Sequence, residues 1–496
     1  MRRLLSVIFF FVLLGKAALG QTLSGTLYDS ETKEVLPFAT ISIANQYRGT
    51  VSNIEGRFVL DIKGTTLTDS IVFSYVGFET LRIAVSDISE NETVYLKSAT
   101  ISLQEVQVLS KQLSAKDIVK LVYENYSLNH PSSSSKQEIF YHRFERTPFP
   151  EENRIKLKKT NFPGLEEETF NELFEMIPDE FVEYRDAQVE LYCMEGKSKL
   201  LPIDGISMEE ASQKDLQKEM EDKLGEFLND IEKTKDEEDV YYKFRSGIFA
   251  GKADLGEDND STENIEDKDS LNYHLSTDYV KGGIQSLLKN YAGVESKNLS
   301  FINSTGKYEY AIDEITVFND LLVYRISFIP KGKGPFEGTM FVTTDTYAII
   351  KLDFEYAEGK ETEKFQLMGI GHAMNFKKGS VLFEKRDSSY FVKYIYAEER
   401  ESASIERKLS LMKKQKRFLF DKELNEFKID MELYFDINNY WEMLVLDRTF
   451  IDESKFKSID QPKKMLFKKK YAYSSEDWNN STVIAPTKEL EKYKRK

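Results

Sequence analysis

Short stretches of alternating apolar and polar residues run from Thr22 to Leu96 and constrain the fold most strongly. Alternation with period two places every second side chain on one face of a strand, and glycine, asparagine and aspartate separate these stretches at intervals typical of small β-sandwiches. Roughly 75 residues of this kind are near the lower limit for a domain that folds alone. The apolar positions of three stretches predict its core: Ala39, Ile41, Ile43, Phe58, Leu60, Ile62, Ile71, Phe73 and Tyr75.

The glycine-containing stretch RGTVSNIEGRFVLDIKG (48–64) admits two interpretations, a scaffold turn or an anion-binding loop. Gly49 and Gly56 flank a segment in which Asn53 and Gly56 can adopt positive φ. A phosphate-binding loop needs a helix after its glycines, with the N-terminus of that helix facing the anion. An alternating strand that begins near Phe58 follows instead. We therefore interpret the stretch as scaffold.

A helical pattern replaces the strand pattern in residues 99–137, which we predict to be a connector and one short helix. Ser114 and Asp117 fit a capping box, in which the side chain of the first residue satisfies a free backbone amide of the first turn. Pro131 and the four serines that follow it end the helix. The boundary of the next domain is therefore expected at residue 138.

Residues 138–460 are predicted to form a larger, mostly antiparallel domain of the α+β type, because their apolar segments are rich in Tyr, Phe, Val and Ile. One of the candidate strands is RFLFDKEL (417–424). An amphipathic helix with a charged outer face is expected as an insertion at 209–239. The remaining residues, 461–496, shift to a basic composition and are expected to form a tail. The fold class is thus mainly β.

A series of motifs in the first domain resembles a known family. They are Gly25, Asp29, LPFATI (36–41), GTVSN (49–53), EGRF (55–58), DSIVFSYVGF (69–78) and ISLQEVQV (101–108). In these motifs residues 21–98 resemble the carboxypeptidase-regulatory-like, transthyretin-like domain common at the N-terminus of Bacteroidetes envelope proteins. The resemblance implies a seven-stranded, prealbumin-like β-sandwich without peptidase activity, which relatives attach to TonB-dependent receptors and other exported β-rich proteins.

One hairpin of the larger domain gives a second resemblance. FEGTMFVTTDTYAIIKLDFEY (336–356) is similar to a strand–turn–strand of lipoprotein-carrier-like half-barrels, in which a convex sheet holds a lipid. This resemblance implies that the larger domain is a half-barrel with a pocket.

The first twenty residues have the pattern of a secretory signal peptide. Arg2 and Arg3 precede an apolar run from Leu4 to Leu14, which is too short to cross a bilayer, and small residues stand before Gln21. The sequence therefore predicts an exported protein, located in the periplasm or associated peripherally with the outer membrane.

Charge and cysteine content exclude several classes. The formal net charge is −16, and an acidic chain is a poor candidate for binding nucleic acid, which needs a dominant basic surface. Cys193 is the single cysteine, so the chain cannot form an intramolecular disulfide and must be stabilised by its core.

His142 and Glu145 have the spacing of two zinc ligands in metallocarboxypeptidases, with His274 as a third candidate. Residues three apart in an alternating strand point to opposite faces, so His142 and Glu145 cannot converge on one ion. We therefore predict no metal site.

The other candidate site residues are interpreted as structural or solvated. They are His372, Cys193, the acidic segment 255–269 and the basic segment 463–470, which could contact lipid phosphates but fits a solvated strand face better. No nucleophile elbow, phosphate loop or dinucleotide motif is present in the sequence. We predict no catalytic residue and no cofactor.

Three functions stay open at this point. The first is a non-catalytic cell-envelope protein in which the sandwich supports the larger domain for interaction or assembly, with a protein or a lipid as partner. The second is a carrier of a lipid or apolar ligand in a half-barrel pocket. The third is a hydrolase whose residues converge only in the folded chain.

Overall fold

The computed structural model describes residues 22–89, 91–99, 113–209, 213–234, 237–247, 249–253, 272–478 and 482–494. The predicted signal peptide at 1–20, the acidic segment 255–269 and the motif at 101–108 lie outside these residues. These predictions therefore stay predictions.

Two facing sheets form the N-terminal domain, as the alternation predicts. Its strands are β1 (Thr22–Asp29), β2 (Thr40–Ile43), β3 (Gly49–Val51), β4 (Arg57–Asp61), β5 (Ser70–Ser74), β6 (Leu81–Ala84) and β7 (Glu92–Leu96). One sheet has the order β4-β1-β7 and the other β3-β2-β5-β6, so the predicted seven-stranded sandwich is confirmed within the described residues.

The core of the sandwich contains the predicted side chains. All of them either belong to one buried cluster or pack against it; Ile62 and Tyr75 are the partly buried ones. Phe58 and Phe73 meet edge to face across the two sheets, with ring centroids 5.7 Å apart. Period-two alternation therefore located this core correctly.

The turn before β4 differs in two details from the prediction. Gly56 has φ of 74°, as expected, and a Cβ there would approach the carbonyl oxygen of Leu27 to 2.9 Å. Asn53 does not adopt positive φ; its side-chain oxygen accepts hydrogen bonds from the backbone amides of Glu55 and Arg57 instead. Segment 49–51, predicted as part of the turn, pairs with β2 as β3.

A single large sheet follows, and apart from one parallel pair its neighbouring strands are antiparallel. Its strands are β8 (Ser135–Pro148), β9 (Arg154–Thr160), β10 (Glu180–Met194), β11 (Lys197–Glu209), β12 (Val240–Ser246), β13 (Phe249–Ala253), β14 (Tyr273–Ser276), β15 (Tyr308–Phe318), β16 (Leu321–Pro330), β17 (Phe336–Thr343), β18 (Ile349–Tyr356), β19 (Thr362–Leu367), β20 (Ile370–Arg386), β21 (Ser389–Gln415), β22 (Lys422–Phe450) and β23 (Lys464–Lys470).

The main path of this sheet is β14-β23-β11-β10-β8-β22-β21-β20-β18-β17-β16-β15, and β11 and β23 form the parallel pair. The path ends in different strands at its two edges, so the described sheet is open. The predicted antiparallel β-rich domain is confirmed, whereas the half-barrel curvature stays a prediction. Residues 464–470, expected in a basic tail, lie inside the sheet because their alternate residues Met465 and Phe467 are apolar and buried.

Short helices connect the strands. They are α1 (Ala115–Asn129), α2 (Glu167–Glu175), α3 (Gln213–Lys223), α4 (Gly225–Lys233), α5 (Thr277–Leu287), α6 (Ser300–Asn303), α7 (Glu453–Lys457) and α8 (Lys488–Glu491), with a π-helical turn at Leu288–Ala292. Ser114 caps α1 by accepting a hydrogen bond from the amide of Asp117, so the predicted helix and cap are confirmed. The helical insertion is divided into α3 and α4 near Gly225, because glycine is a poor helix former.

Helices α1 and α5 and the π-helical turn cover one face of the large sheet, which we call the helical face. Tyr291 of the turn donates a hydrogen bond to Glu399 of β21, at 2.8 Å, and stacks on Phe354 of β18. From Tyr394 onward, odd-numbered residues of β21 therefore point to the helical face. Phe38 of the sandwich contacts Tyr394 and Tyr396, so even-numbered residues point to the opposite, sandwich face.

Residues 482–494, which we call the C-terminal strap, join the sandwich to the large sheet. Thr50 and Asn53 donate hydrogen bonds to the backbone carbonyls of Val483 and Ala485, at 3.1 and 3.0 Å. On the large sheet, Arg146 forms an ion pair with Glu489 at 2.8 Å. The strap thus holds the sandwich against the large sheet.

Candidate functional site

An apolar cavity of about 490 Å³ lies on the helical face, at the end of the long strands β21 and β22. Strands β9, β12, β21 and β22 form its floor, and α2, α3 and α4 cover it. It is lined by Ile155, Leu165, Phe170, Leu173, Phe174, Ile177, Met220, Leu224, Phe227, Phe244, Leu409, Ser410, Leu411, Phe427 and Ile429. All of these except Ser410 have hydrocarbon, aromatic or thioether side chains.

Strand alternation provides the floor of the cavity. Leu409 and Leu411 are odd-numbered residues of β21, and Phe427 of β22 is the register partner of Leu411. Side chains directly opposite on antiparallel strands lie on the same face of the sheet. Phe244 of β12 is the partner of Leu411 on its other side. Three neighbouring strands therefore present a continuous apolar row beneath the helices.

Aromatic and polar contacts hold α4 on this floor. Phe162 packs edge to face against Phe227, with ring centroids 5.3 Å apart. Lys413, a buried residue of β21, forms an ion pair with Asp230 of α4 at 2.9 Å. Gly164 has φ of 73° and lies so close to α4 that a Cβ would approach that of Glu226 to 2.6 Å. The cover is thus attached at its margins, and the cavity lies between the attachments.

The turn between β21 and β22 presents its apolar side chains to solvent. Phe418, Leu419 and Phe420 are 101%, 78% and 87% exposed. We call residues 416–422 the hairpin tip. The prediction that 417–424 is a strand is wrong for the first residues, since β21 ends at Gln415 and β22 begins at Lys422. Patches of large apolar side chains this exposed are uncommon on soluble proteins and mark contact surfaces.

His142 and Glu145 lie on opposite faces of β8, as the alternation predicted. His142 is buried on the sandwich face, where its Nδ1 lies 2.5 Å from Oδ1 of Asp186, its register neighbour on β10. Glu145 accepts a hydrogen bond from Arg143 instead. His274 of β14 is the register partner of Leu466 of β23 and is not brought together with His142 or Glu145. Among the described residues, no group of three or more His, Cys, Asp or Glu side chains is placed to hold a metal ion.

The surroundings of His142 form a buried polar cluster that the sequence did not indicate. Glu442 is the neighbour of His142 on β22 and accepts a hydrogen bond from the Tyr394 hydroxyl at 2.5 Å. Burial opposes the charged imidazolium, but the carboxylate of Asp186 outweighs it and raises the pKa of His142. Burial raises the pKa of Glu442. Side chains of residues 473–478 and 483–490, such as Trp478, cover this cluster, which therefore lies in the interface between the sandwich and the large sheet.

The other histidines lie apart from the cavity. His130 follows α1, and its ring lies between Tyr126 and Phe383, with centroids 4.5 Å from each. Burial lowers the pKa of His130 to about 4. His372 is partly exposed and pairs with Glu401 at 2.9 Å, and this hydrogen bond raises its pKa.

Cys193 is partly buried on β10, and burial raises the pKa of its thiol. A raised pKa disfavours the thiolate, which is the reactive form. The basic segment 463–470 carries Lys468 and Lys470, which form ion pairs with Asp204 and Asp477 at 2.7 and 2.6 Å.

Comparisons with known proteins bear on the N-terminal domain first. The family model described as CarboxypepD_reg-like domain matches residues 23–108. The described part of this matched segment contains the two sheets of the sandwich and the turn at Gly56. Residues 23–108 are a carboxypeptidase-regulatory-like domain. This domain covers a minor part of the chain and carries none of the cavity residues. No curated protein matches the chain in sequence.

Solved structures give only distant similarity. A LolA superfamily protein from Nitrosomonas europaea is 8% identical, with a TM-score of 0.17, and the match covers 69% of this chain and 97% of that one. A membrane-associated protein of unknown function from Bacteroides fragilis is 10% identical, with a TM-score of 0.13, over 85% and 98% of the two chains. TM-scores this low show no common fold. Within the described residues, none of the helices is long and apolar enough to cross a membrane.

Proposed function

We propose that this protein binds a long apolar ligand, such as the acyl chain of a fatty acid or lipid, in the cavity beneath α2, α3 and α4. The observation that carries the proposal is the lining, in which Ser410 is the one residue without a largely apolar side chain. Water needs several polar partners to be stable in a cavity, so a space lined in this way favours an apolar occupant. Each Å² of apolar ligand surface removed from water contributes about 25 cal/mol.

The size of the cavity agrees with this class of ligand. Its volume of about 490 Å³ lies within the range of roughly 300–1,000 Å³ that small-molecule sites occupy. The lining has no titratable side chain that could serve as a general acid or base. We therefore favour a carrier over an enzyme for this site.

The hairpin tip suggests where the ligand is exchanged. Phe418, Leu419 and Phe420 can enter the apolar layer of a bilayer, while Lys416 and Lys422 remain at the level of the headgroups. The tip begins five residues after Leu411 in the cavity floor, or about 17 Å at ~3.3 Å per strand residue. We propose that the tip brings the cavity to a membrane surface of the cell envelope, to which the predicted signal peptide would export the protein.

The sandwich has a supporting role in this proposal. Thr50, Asn53 and Arg57 hold the C-terminal strap, and the strap contacts the large sheet on the face opposite the cavity. The sandwich therefore adds a rigid body to the carrier without contributing to its cavity.

Binding of cis-parinaric acid, a fluorescent long-chain fatty acid, tests the carrier function. Leu173→Trp places an indole in the cavity from α2, and Leu228→Trp is the matched control, because Leu228 lies on the cover but is 42% exposed and outside the lining. We expect Leu173→Trp to weaken binding by about tenfold or more and Leu228→Trp to bind as the wild type. Equal binding by all three proteins would contradict the proposal.

Co-sedimentation with phosphatidylcholine–phosphatidylethanolamine vesicles tests the membrane contact. The double variant Phe418→Ser, Phe420→Ser should lose sedimentation and transfer parinaric acid to vesicles more slowly, with unchanged equilibrium affinity. Leu128→Ser is the control, because Leu128 is 75% exposed on α1, away from the tip. Sedimentation of the double variant at the wild-type level would exclude the tip as the membrane contact.

A further inference from the structure

A second cavity, of about 400 Å³, lies between α5 and the large sheet on the helical face. Two arginines, Arg143 of β8 and Arg185 of β10, stand in its wall together with the aromatic side chains Tyr141, Tyr279, Trp441 and Phe467. It shares no lining residue with the apolar cavity. Its mixture of guanidinium groups and rings differs sharply from the lining of the apolar cavity, in which Ser410 is the one polar side chain.

The order of charges along the two strands concentrates positive charge at this cavity. Arg143 is directly opposite Arg185, and Glu145 is directly opposite Glu183. Each arginine bonds to the glutamate two residues away on its own strand. Like charges directly opposite each other destabilise a sheet, whereas alternating charges would pair across the strands. The observed order leaves two adjacent guanidinium groups in the cavity wall and keeps both carboxylates out of it.

Neither arginine uses all of its N–H groups in the hydrogen bonds described here. A guanidinium has five N–H donors and no acceptor. Arg143 bonds to Glu145 and the Tyr279 hydroxyl, and its buried Nε has no hydrogen-bond partner among the described residues. Arg185 is 9% exposed, and its Nε lies 3.4 Å from the Tyr273 hydroxyl, a long hydrogen bond. A ligand with acceptor oxygens would satisfy these donors and reduce the repulsion between the two cations.

One carboxylate does lie in the wall, but it is already held. Asp278 accepts hydrogen bonds from Lys281 at 2.6 Å and Gln461 at 2.9 Å, and its side chain is 73% exposed. Lys281 thus balances Asp278, and the two arginines, each paired with a glutamate outside the lining, are the other charged residues of the wall.

Glycines on α5 keep the cavity open. Gly282 and Gly283 both line it. A Cβ at Gly283 would approach the Tyr141 hydroxyl to 2.7 Å, so this position admits no larger side chain. A Cβ at Gly282 would meet no atom within 4 Å, so a side chain there would project into free space. A substitution at Gly282 can therefore fill the cavity without disturbing α5.

We propose that this cavity binds a small organic anion whose carboxylate or phosphate contacts Arg143 and Arg185 and whose planar apolar part lies against Tyr141, Trp441 and Phe467. Carboxylates and phosphates are the groups that the guanidinium fork binds best, and aromatic walls favour a flat ligand body. The proposal is independent of the carrier function.

Quenching of Trp441 fluorescence by 2-naphthoate tests the proposal, and 2-naphthamide is the neutral analogue of the same shape. The measurement uses a Trp478→Phe background, because the chain has two tryptophans. We expect naphthoate to bind at least about tenfold more tightly than naphthamide. Naphthyl phosphate and inorganic phosphate separate recognition of the whole ligand from recognition of its anion alone. Equal affinity for naphthoate and naphthamide would overturn the proposal.

Four variants in the same background localise the binding. Gly282→Leu should abolish quenching, and Gly282→Ala should preserve it. Arg143→Gln should weaken naphthoate binding by about tenfold or more and leave naphthamide unaffected. Leu173→Trp, measured by calorimetry, should leave naphthoate affinity unchanged, which distinguishes this cavity from the apolar one. Wild-type affinity in Gly282→Leu, or loss of affinity in Leu173→Trp, would place the binding elsewhere and overturn the assignment.

Discussion

The helical face of β21 and β22 is covered by helices at two places along its length, and the two places differ in how they are filled. Near Glu399, α1, α6 and the π-helical turn pack against the sheet with buried aromatic side chains, among them Tyr126, Tyr291 and Phe301. Near Leu411, α2, α3 and α4 cover β9, β12, β21 and β22 and leave about 490 Å³ empty. We call these the proximal and the distal cover.

Packing at the proximal cover is continuous. Phe301 stacks on Phe328 with ring centroids 4.1 Å apart, and both side chains are buried. The distal cover is held by pairs at its margins, such as Phe162 with Phe227 and Lys413 with Asp230. Protein interiors are normally close-packed. The empty space at the distal cover, on the same sheet as the filled proximal cover, therefore lowers the stability of the folded chain. The comparison supports a role for the void as a binding site.

Truncation of a ring at each cover should give the largest difference. Phe301→Ala is expected to lower the free energy of unfolding by about 3–5 kcal/mol, because it empties a filled site. Phe427→Ala at the distal cover should cost about half as much or less, because Phe427 already borders empty space. Urea denaturation followed by far-UV circular dichroism measures both. Equal losses would mean that the two covers are packed alike.

Acidification should affect the proximal cover through His130. Its pKa is lowered to about 4 in the folded chain, so the folded state binds fewer protons than the unfolded state below pH 6.5. Stability is therefore present above pH 6.5 and is lost as the pH falls to 4, by about 3 kcal/mol at ~1.4 kcal/mol per pKa unit. His130→Phe keeps a ring between Tyr126 and Phe383 and should remove this contribution. If the free energy of unfolding of His130→Phe falls between pH 6.5 and 4 as steeply as that of the wild type, His130 is excluded as the source of this pH dependence.

Added volume should have opposite effects at the two covers. Leu352→Phe on the proximal side, where Leu352 is fully buried, is expected to destabilise by about 1–3 kcal/mol through overpacking. Ile155→Phe on the distal side should stabilise by roughly 0.5–1 kcal/mol, because the extra ring enters the void. Thermal unfolding by calorimetry compares the two. Destabilisation by both variants would show that the distal void cannot accept a side chain.

The smallest effect concerns the attachment of the distal cover. Lys223 of α3 forms an ion pair with Glu172 of α2 at 2.5 Å, and both side chains are at least one-third exposed. Exposed pairs contribute about 0–1 kcal/mol, so Lys223→Met should change the free energy of unfolding by less than about 1 kcal/mol. The same variant should release parinaric acid faster in stopped-flow measurements, because α2 and α3 separate more easily. An unchanged release rate would show that this pair does not restrain the cover.

The sequence predicted the sandwich and α1 because their signals are local. Alternation around Ile41 and Phe58, and the cap at Ser114, are each contained in a few neighbouring residues. The cavity could not be predicted in this way, because Ile155, Leu173 and Leu411 come from segments far apart in the chain. Segment 417–424 was predicted as a strand from its apolar residues, whereas Phe418 and Phe420 lie in an exposed turn. The apolar residues of 167–177 and 220–231 were the available signal for the cover.

Hydrogen exchange with and without parinaric acid tests the central claim, that the distal cover encloses a ligand site and the proximal cover is core. We expect the ligand to slow amide exchange in α2, in α4 and in the strand residues around Leu411, and to leave exchange in α1 and α6 unchanged. Slower exchange confined to α1 and α6, or no change anywhere with the ligand bound, would contradict the account.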